Sequence, residues 1–125
     1  MVTGIHHISM KCDTKEEFEK AKTFYLNLLG FPVKREWPEG IMIECGSSQL
    51  EIFCNGKGIR SKGAIRHVAF STDDVDSIIG SVRKAGYKVF IEPNDIVIPS
   101  DPEFHARMAF CYGPLGEEIE FFQEK

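Results

Sequence analysis

The chain has 125 residues, with 15 Lys and Arg against 19 Asp and Glu, a formal charge of −4 and an isoelectric point near 5.6. With 42% hydrophobic and 27% charged residues it has the balance of one ordinary globular domain, too short for two large ones. The lack of a basic cluster argues against a nucleic-acid partner, and apolar runs no longer than Phe24–Leu29 argue against a membrane span.

Met1–Met10 carries two His and no long apolar stretch, so no secretory signal is expected and a cytoplasmic location is inferred. Ile5–Cys12 alternates, with Ile8, Met10 and Cys12 on one face and His7, Ser9 and Lys11 on the other, as a half-buried strand does. Asp13-Thr14-Lys15-Glu16 has the form of a capping box with Asp13 as N-cap. The helix after it sets Phe18, Ala21, Tyr25 and Leu28 on one stripe and stops at Gly30. Strands are expected at Val33–Trp37, Ile41–Cys45 and Gln49–Cys54, parted by the turns Pro38-Glu39-Gly40 and Gly46-Ser47-Ser48. Gly56–Gly63 reads as a connector.

The second half repeats this plan. Gly4-Ile5-His6-His7-Ile8-Ser9 is echoed by Ala64-Ile65-Arg66-His67-Val68-Ala69. Thr72-Asp73-Asp74 starts a helix carrying Val75, Ile78, Ile79 and Val82 and ending at Gly86. Strands follow at Val89–Glu92, Ala106–Tyr112 and Glu118–Phe122, with Gly113-Pro114-Leu115-Gly116 as a turn. Each half is therefore βαβββ, module one at about 1–60 and module two at about 61–125. Pro93–His105 has no counterpart of that length in the first half and is expected to be a long loop, a lid or rim over a pocket. Cys12, Cys45, Cys54 and Cys111 lack any zinc-ligand spacing and read as reduced thiols.

The duplication puts matching polar residues at matching places. His7 and His67 lie in the first strand of each half, and Glu51 and Glu120 interrupt the apolar last strands. A carboxylate flanked by Leu and Ile must be solvated, paired or bound to a cation. If the halves face each other, two imidazoles and two carboxylates converge into a shell for a divalent metal with two open positions. His6 competes with His7 for the first ligand position. Strand alternation puts it on the side of Ile8 and Met10, so it is expected to be structural or at the rim.

These residues resemble the vicinal oxygen chelate superfamily, which includes glyoxalase I, bleomycin and fosfomycin resistance proteins, extradiol dioxygenases and methylmalonyl-CoA epimerase. The resemblance runs from His7-Ile8-Ser9 through Phe24-Tyr25 and Leu29-Gly30-Phe31 to Arg66-His67-Val68-Ala69-Phe70. It ends at Gly113-Pro114-Leu115-Gly116 and Ile119-Glu120-Phe121. It implies an α+β fold in which two βαβββ modules form a curved mixed sheet, a cup around a metal site, with helices on the outer face. The glyoxalase I branch uses His, Glu, His and Glu as ligands, and His7, Glu51, His67 and Glu120 look like that set. Fosfomycin resistance proteins lack the first glutamate and the epimerases carry Gln there, so Glu51 argues against both.

The resemblance implies a metal-dependent isomerase or lyase acting on a hemithioacetal, or a related vicinal-oxygen molecule, through an enediolate. Glu120 would be the main base, with Glu51 assisting, and the metal nickel or zinc, with cobalt or manganese as alternatives. Asn55 falls at a position that glyoxalase I uses for glutathione, and Lys11 stands where the family often has Arg. Those two residues, with Arg107 and His105, are the expected substrate contacts. Dimerisation is expected, since family members build the cup from halves of one chain or of two. Two alternatives remain. One is a non-catalytic drug- or metabolite-binding protein of the same fold. The other is a ring-cleaving dioxygenase, whose usual His-His-Glu triad and longer chain fit less well.

Overall fold

The computed structural model describes residues 5–56, 67–99 and 102–125, in which eight strands and two α-helices are found. The chain divides into two units, Met1–Ser61 and Lys62–Lys125. The expected connector Gly56–Gly63 and the repeat residues Gly4 and Ala64-Ile65-Arg66 lie, Gly56 apart, outside the described residues. Among the described residues no helix is long and apolar enough to cross a membrane.

In the first unit β1 (His7–Lys11) precedes helix α1 (Lys15–Lys22) and the strands β2 (Val33–Trp37), β3 (Gly40–Cys45) and β4 (Ser48–Phe53). The strand order is β1-β4-β3-β2, with β1 parallel to β4 and the other pairs antiparallel. Period-two alternation survives in β1, where Ile8 and Met10 are half-buried between exposed His7, Ser9 and Lys11. In β4, Leu50 and Ile52 are buried while Gln49, Glu51 and Phe53 between them are only partly so. The core side of this sheet therefore carries Leu50 and Ile52, and Glu51 is on the opposite, open side.

Helix α1 begins one residue later than expected. The Phe18 N–H donates to the Thr14 carbonyl and the Glu17 N–H to the Thr14 hydroxyl at 3.1 Å, so Thr14, not Asp13, is the N-cap. The reciprocal half of the box survives in shifted form, with the Asp13 N–H donating to the Glu17 carboxylate at 3.3 Å. After Lys22 the helix widens into a π-helical segment, Thr23–Leu28, where the Leu29 N–H reaches back five residues to the Phe24 carbonyl. This winding turns less per residue and lets two successive rings, Phe24 and Tyr25, both be buried, edge to face at 5.1 Å. Gly30, at φ +75°, ends the segment as expected.

The second unit has the same plan. Strand β5 (Val68–Ser71) leads to helix α2 (Val75–Lys84), then β6 (Val89–Ile98), β7 (Phe104–Tyr112) and β8 (Glu118–Glu124), in the order β5-β8-β7-β6. Asp74 caps α2 by accepting from the Ser77 N–H at 2.9 Å, and Val75, Ile79 and Val82 form its buried face. Its end is a Schellman motif. Gly86 at φ +91° donates to the Arg83 carbonyl and the Tyr87 N–H to the Val82 carbonyl.

The main departure is the stretch Pro93–His105, which is largely a β-hairpin arm and not a loop. The β6–β7 ladder continues to Ile98 opposite Phe104, leaving a connection at 99–103, of which 100–101 lie outside the described residues. Pro93 is tolerated because β6 is the edge strand and the register breaks between Ile91 and Asn94, where no ladder N–H is needed. Arg107 braces this arm against the helix. Its guanidinium donates to both Asp76 oxygens of α2, at 2.6 and 2.8 Å, and to Asp95 of β6 at 3.2 Å. The architecture is α+β, two βαβββ modules each with a four-stranded mixed sheet.

Candidate functional site

The parallel pairing of first and last strand is what brings a histidine to a glutamate in each module. In module one Glu51 lies between Ser9 of β1 and Met42 of β3. His7, two residues before Ser9, shares that face, and its Nε2 is 3.7 Å from Glu51 Oε1. In module two Ala69 and Phe110 flank Glu120 in the same way, and His67 Nε2 is 3.1 Å from Glu120 Oε2. A small residue, Ser or Ala, on one side of the glutamate and a large one, Met or Phe, on the other is thus common to both modules.

Exposure differs between the partners. The glutamate side chains are mostly covered, at 16% and 12% exposed, while the imidazoles remain open at 40% and 38%. A carboxylate sunk among Met, Phe and aliphatic neighbours is costly unless a cation or a hydrogen-bond donor faces it, and the imidazole of the same module stands on its open side.

Donor chemistry and spacing suit a divalent ion of intermediate hardness. Two ligands on one ion, each bonded at about 2.1 Å and set at about 90–109°, stand about 3.0–3.4 Å apart. The module-two pair falls in that range and the module-one pair is slightly wider. Among the described residues no group of three or more His, Cys, Asp or Glu side chains stands together as a ready-made shell. The candidate donors occur instead as one pair in each module.

The four expected substrate contacts separate. Lys11 keeps to the face of His7 and Glu51, its ammonium 5.7 Å from the centre of the Phe53 ring. Asn55 lies just beyond β4 and donates to Glu39 at 3.2 Å, a partner from the β2–β3 turn. Arg107 and His105 are an odd number of residues from Phe110 along β7, so they stand on the opposite face from Glu120. Arg107 is committed to Asp76 and Asp95, and its hydrogen bonds, aided by its charge, hold the Asp76 carboxyl below the usual range. His105 is exposed, with Nε2 3.5 Å from Glu103.

Sequence reasoning missed two features of these faces. One is an aromatic run beside His67: Phe110 meets its ring edge-on at 5.1 Å, Phe90 lies 5.6 Å from Phe110, and Tyr112 stacks on Phe90 at 4.4 Å. Counting by twos along β7 from Phe110 to Tyr112 would have found half of it. The other is His6. Strand β1 starts only at His7, so alternation does not govern His6; it is exposed, and its ring contacts His7.

Two βαβββ modules in tandem, each joining a histidine to a glutamate through a parallel strand pair, define a duplicated α+β protein with a repeated His–Glu pair. Residues 4–121 match the model of the Glyoxalase/Bleomycin resistance protein/Dioxygenase superfamily, and the chain belongs to that superfamily. It is 27% identical to the uncharacterized protein YwkD of Bacillus subtilis (strain 168), with 99% of each chain covered. Among solved structures it resembles TnmS3, an antibiotic binding protein from Streptomyces sp. CB03234, at 22% identity and TM-score 0.73, covering 99% of this chain and 98% of that one. It also resembles lactoylglutathione lyase from Agrobacterium tumefaciens at 17% identity and TM-score 0.68, covering 98% and 95%. At such identities the likeness to the two solved structures is one of fold.

Proposed function

We propose that the chain is a metal-dependent lyase or isomerase of the lactoylglutathione lyase type. Its substrate would be a hemithioacetal or a related small molecule with oxygens on neighbouring carbons. The observation that carries this reading is the repetition of one His–Glu pair at equivalent positions, His7 with Glu51 and His67 with Glu120. A single covered glutamate is readily explained by packing, whereas the same pair in both modules asks for a common ligand.

His7, Glu51, His67 and Glu120 are the residues that would hold the ion, with nickel or zinc favoured by the mixed imidazole and carboxylate set and cobalt or manganese compatible with it. When bound, a divalent cation supplies the Lewis acidity that stabilises negative charge on the substrate oxygens. Glu120 takes the proton from one oxygen-bearing carbon, and Glu51 is its partner in proton transfer. Lys11, on the same face as His7 and Glu51, offers a cation to a substrate carboxylate. As a point charge it lacks the bidentate fork of an Arg. The reading includes a cytoplasmic homodimer; Cys45, Cys54 and Cys111, none of them in a disulfide, are in keeping with a reducing compartment.

The test is elemental analysis of the purified protein, followed by hemithioacetal isomerisation assays after loading with nickel(II), zinc(II) or cobalt(II). One ion per chain and metal-dependent thioester formation are expected. Failure to take up any of the three ions refutes the enzymatic reading, and light scattering that returns the monomer mass refutes the dimer. If the ion binds but glutathione-derived substrate is inert, another thiol or vicinal-oxygen compound is the substrate.

A second reading is ligand sequestration without turnover. It is favoured by the aromatic run of Phe90, Phe110 and Tyr112 beside His67, which suits a planar apolar ligand, and by the fold shared with an antibiotic-binding protein. Calorimetric binding of such a ligand to metal-free protein that has no isomerase activity under any loading would favour it.

A further inference from the structure

We propose that His6 is a positioning residue for His7, accepting the His7 Nδ1 proton so that the Nε2 lone pair faces Glu51. The proposal rests on the reading of His7 as a metal ligand and names what prepares it. The two Nδ1 atoms are 2.9 Å apart and the rings meet edge to face, with centroids at 5.2 Å and an interplanar angle of 86°. Two ring nitrogens at that distance repel unless one carries a proton and the other a lone pair. If His6 were the donor, neutral His7 would carry its own proton on Nε2, aimed at a carboxylate. An N–H···O⁻ contact closes to about 2.7–2.9 Å, whereas His7 Nε2 stands 3.7 Å from Glu51 Oε1. At 3.7 Å no N–H closes the gap, and a lone pair on Nε2 leaves both groups as acceptors that an ion between them would satisfy. A ligating imidazole needs this: the hydrogen bond made by one nitrogen sets the tautomer and so the availability of the other.

The second module lacks the device. The residue before His67 is Arg66, whose side chain has no acceptor, and His67 is held instead against the edge of Phe110. The two histidines are thus equivalent as donors and differently prepared.

Long-range ¹H–¹⁵N correlation spectra of the metal-free protein at pH 8 read the tautomer directly. His7 is expected in the Nδ1–H form in the wild type and to move toward Nε2–H, the form an isolated imidazole favours, in His6→Ala. His6→Gln, whose amide oxygen can accept, is expected to restore Nδ1–H. Cobalt(II) titration should show about a tenfold or greater weakening in His6→Ala, the scale of losing a partner behind a metal ligand. An Nε2–H His7 in the wild type, or a tautomer unchanged by His6→Ala, overturns the proposal. Absence of cobalt uptake by the wild type overturns the metal reading instead, and the tautomer measurement still decides the role of His6.

Discussion

Replacing Glu120 by Gln separates the chemistry of this side chain from its packing. The carboxylate is 12% exposed, 3.1 Å from His67, and lies between Ala69 and Phe110 in the ladder. Gln has nearly the same volume, and the flanking Ile119 and Phe121 are buried on the other face, so the core is untouched. One altered polar contact of this kind changes stability by about 1 kcal/mol. Removing a positioned base costs about 10²–10⁴ in rate, which is about 2.7–5.5 kcal/mol on the barrier. Hemithioacetal isomerisation, followed by the ultraviolet absorbance of the thioester, should be run at saturating nickel(II) with metal content measured alongside. Circular dichroism and the urea midpoint check the fold. The expected result is a collapse of kcat with a folded, metal-loaded protein and a smaller change in KM. Wild-type kcat in folded Glu120→Gln refutes the assignment of Glu120 as the base. Loss of activity together with loss of the near-ultraviolet spectrum would instead place Glu120 in the packing.

Ile52, fully buried on the core side of β4, should cost about 2–5 kcal/mol as Ile52→Ala, read as a lower urea midpoint with an unchanged slope; a shift below 1 kcal/mol on that scale would show that the site collapses freely. Asp76 has its carboxyl held below the usual range by Arg107, so its contribution to stability is present above the ordinary carboxylate pKa and is lost as pH falls through its folded value. Asp76→Asn should therefore lower the urea midpoint at pH 7 and leave a smaller gap from wild type at pH 3; an equal gap at both refutes the ion pair as the cause. Burial pushes the Cys111 thiol up to about 12, so at pH 8 about one part in 10⁴ is thiolate and iodoacetamide should leave it unmodified in the folded protein. Rapid native labelling at Cys111, located by peptide mass mapping, would show that β7 opens.

In module one β1 and β4 were legible from their alternation, and β2 and β3 from the turn residues that bound them. Ile8 and Met10 alternate with exposed neighbours, and Pro38 and Gly46 flank β3 where the ladder turns. Both glycine helix stops were legible for a similar reason, since Gly30 and Gly86 each sit at positive φ where a side chain would be strained. Composition misled at Pro93. A proline reads as the end of a strand, but on an edge strand with a broken register it removes no ladder bond, and β6 runs on to Ile98.

The site divides along the same physical line. Repetition of His7 and Glu51 by His67 and Glu120 is a pattern in one dimension, and the sequence carries it in full. The pairing of each histidine with the glutamate of its own module depends on β1 lying parallel to β4 and β5 to β8, a long-range register that no local periodicity encodes. Arg107 and His105 were drawn toward the site by their charge and their place beside a supposed loop. Alternation from Phe110 sends Arg107 to the other face from Glu120, and His105 follows it because β7 extends back to Phe104. At His6, exposed as a rim residue would be, alternation is silent on its contact with His7. Alternation was carried one residue past the start of β1, and outside the ladder the backbone is free to bring adjacent imidazoles together. Period-two arguments in this protein are therefore as reliable as the strand boundary they start from: the boundary decides His105 and His6, whereas Arg107 lies inside the expected Ala106–Tyr112 strand and counting from Phe110 alone sets it on the other face.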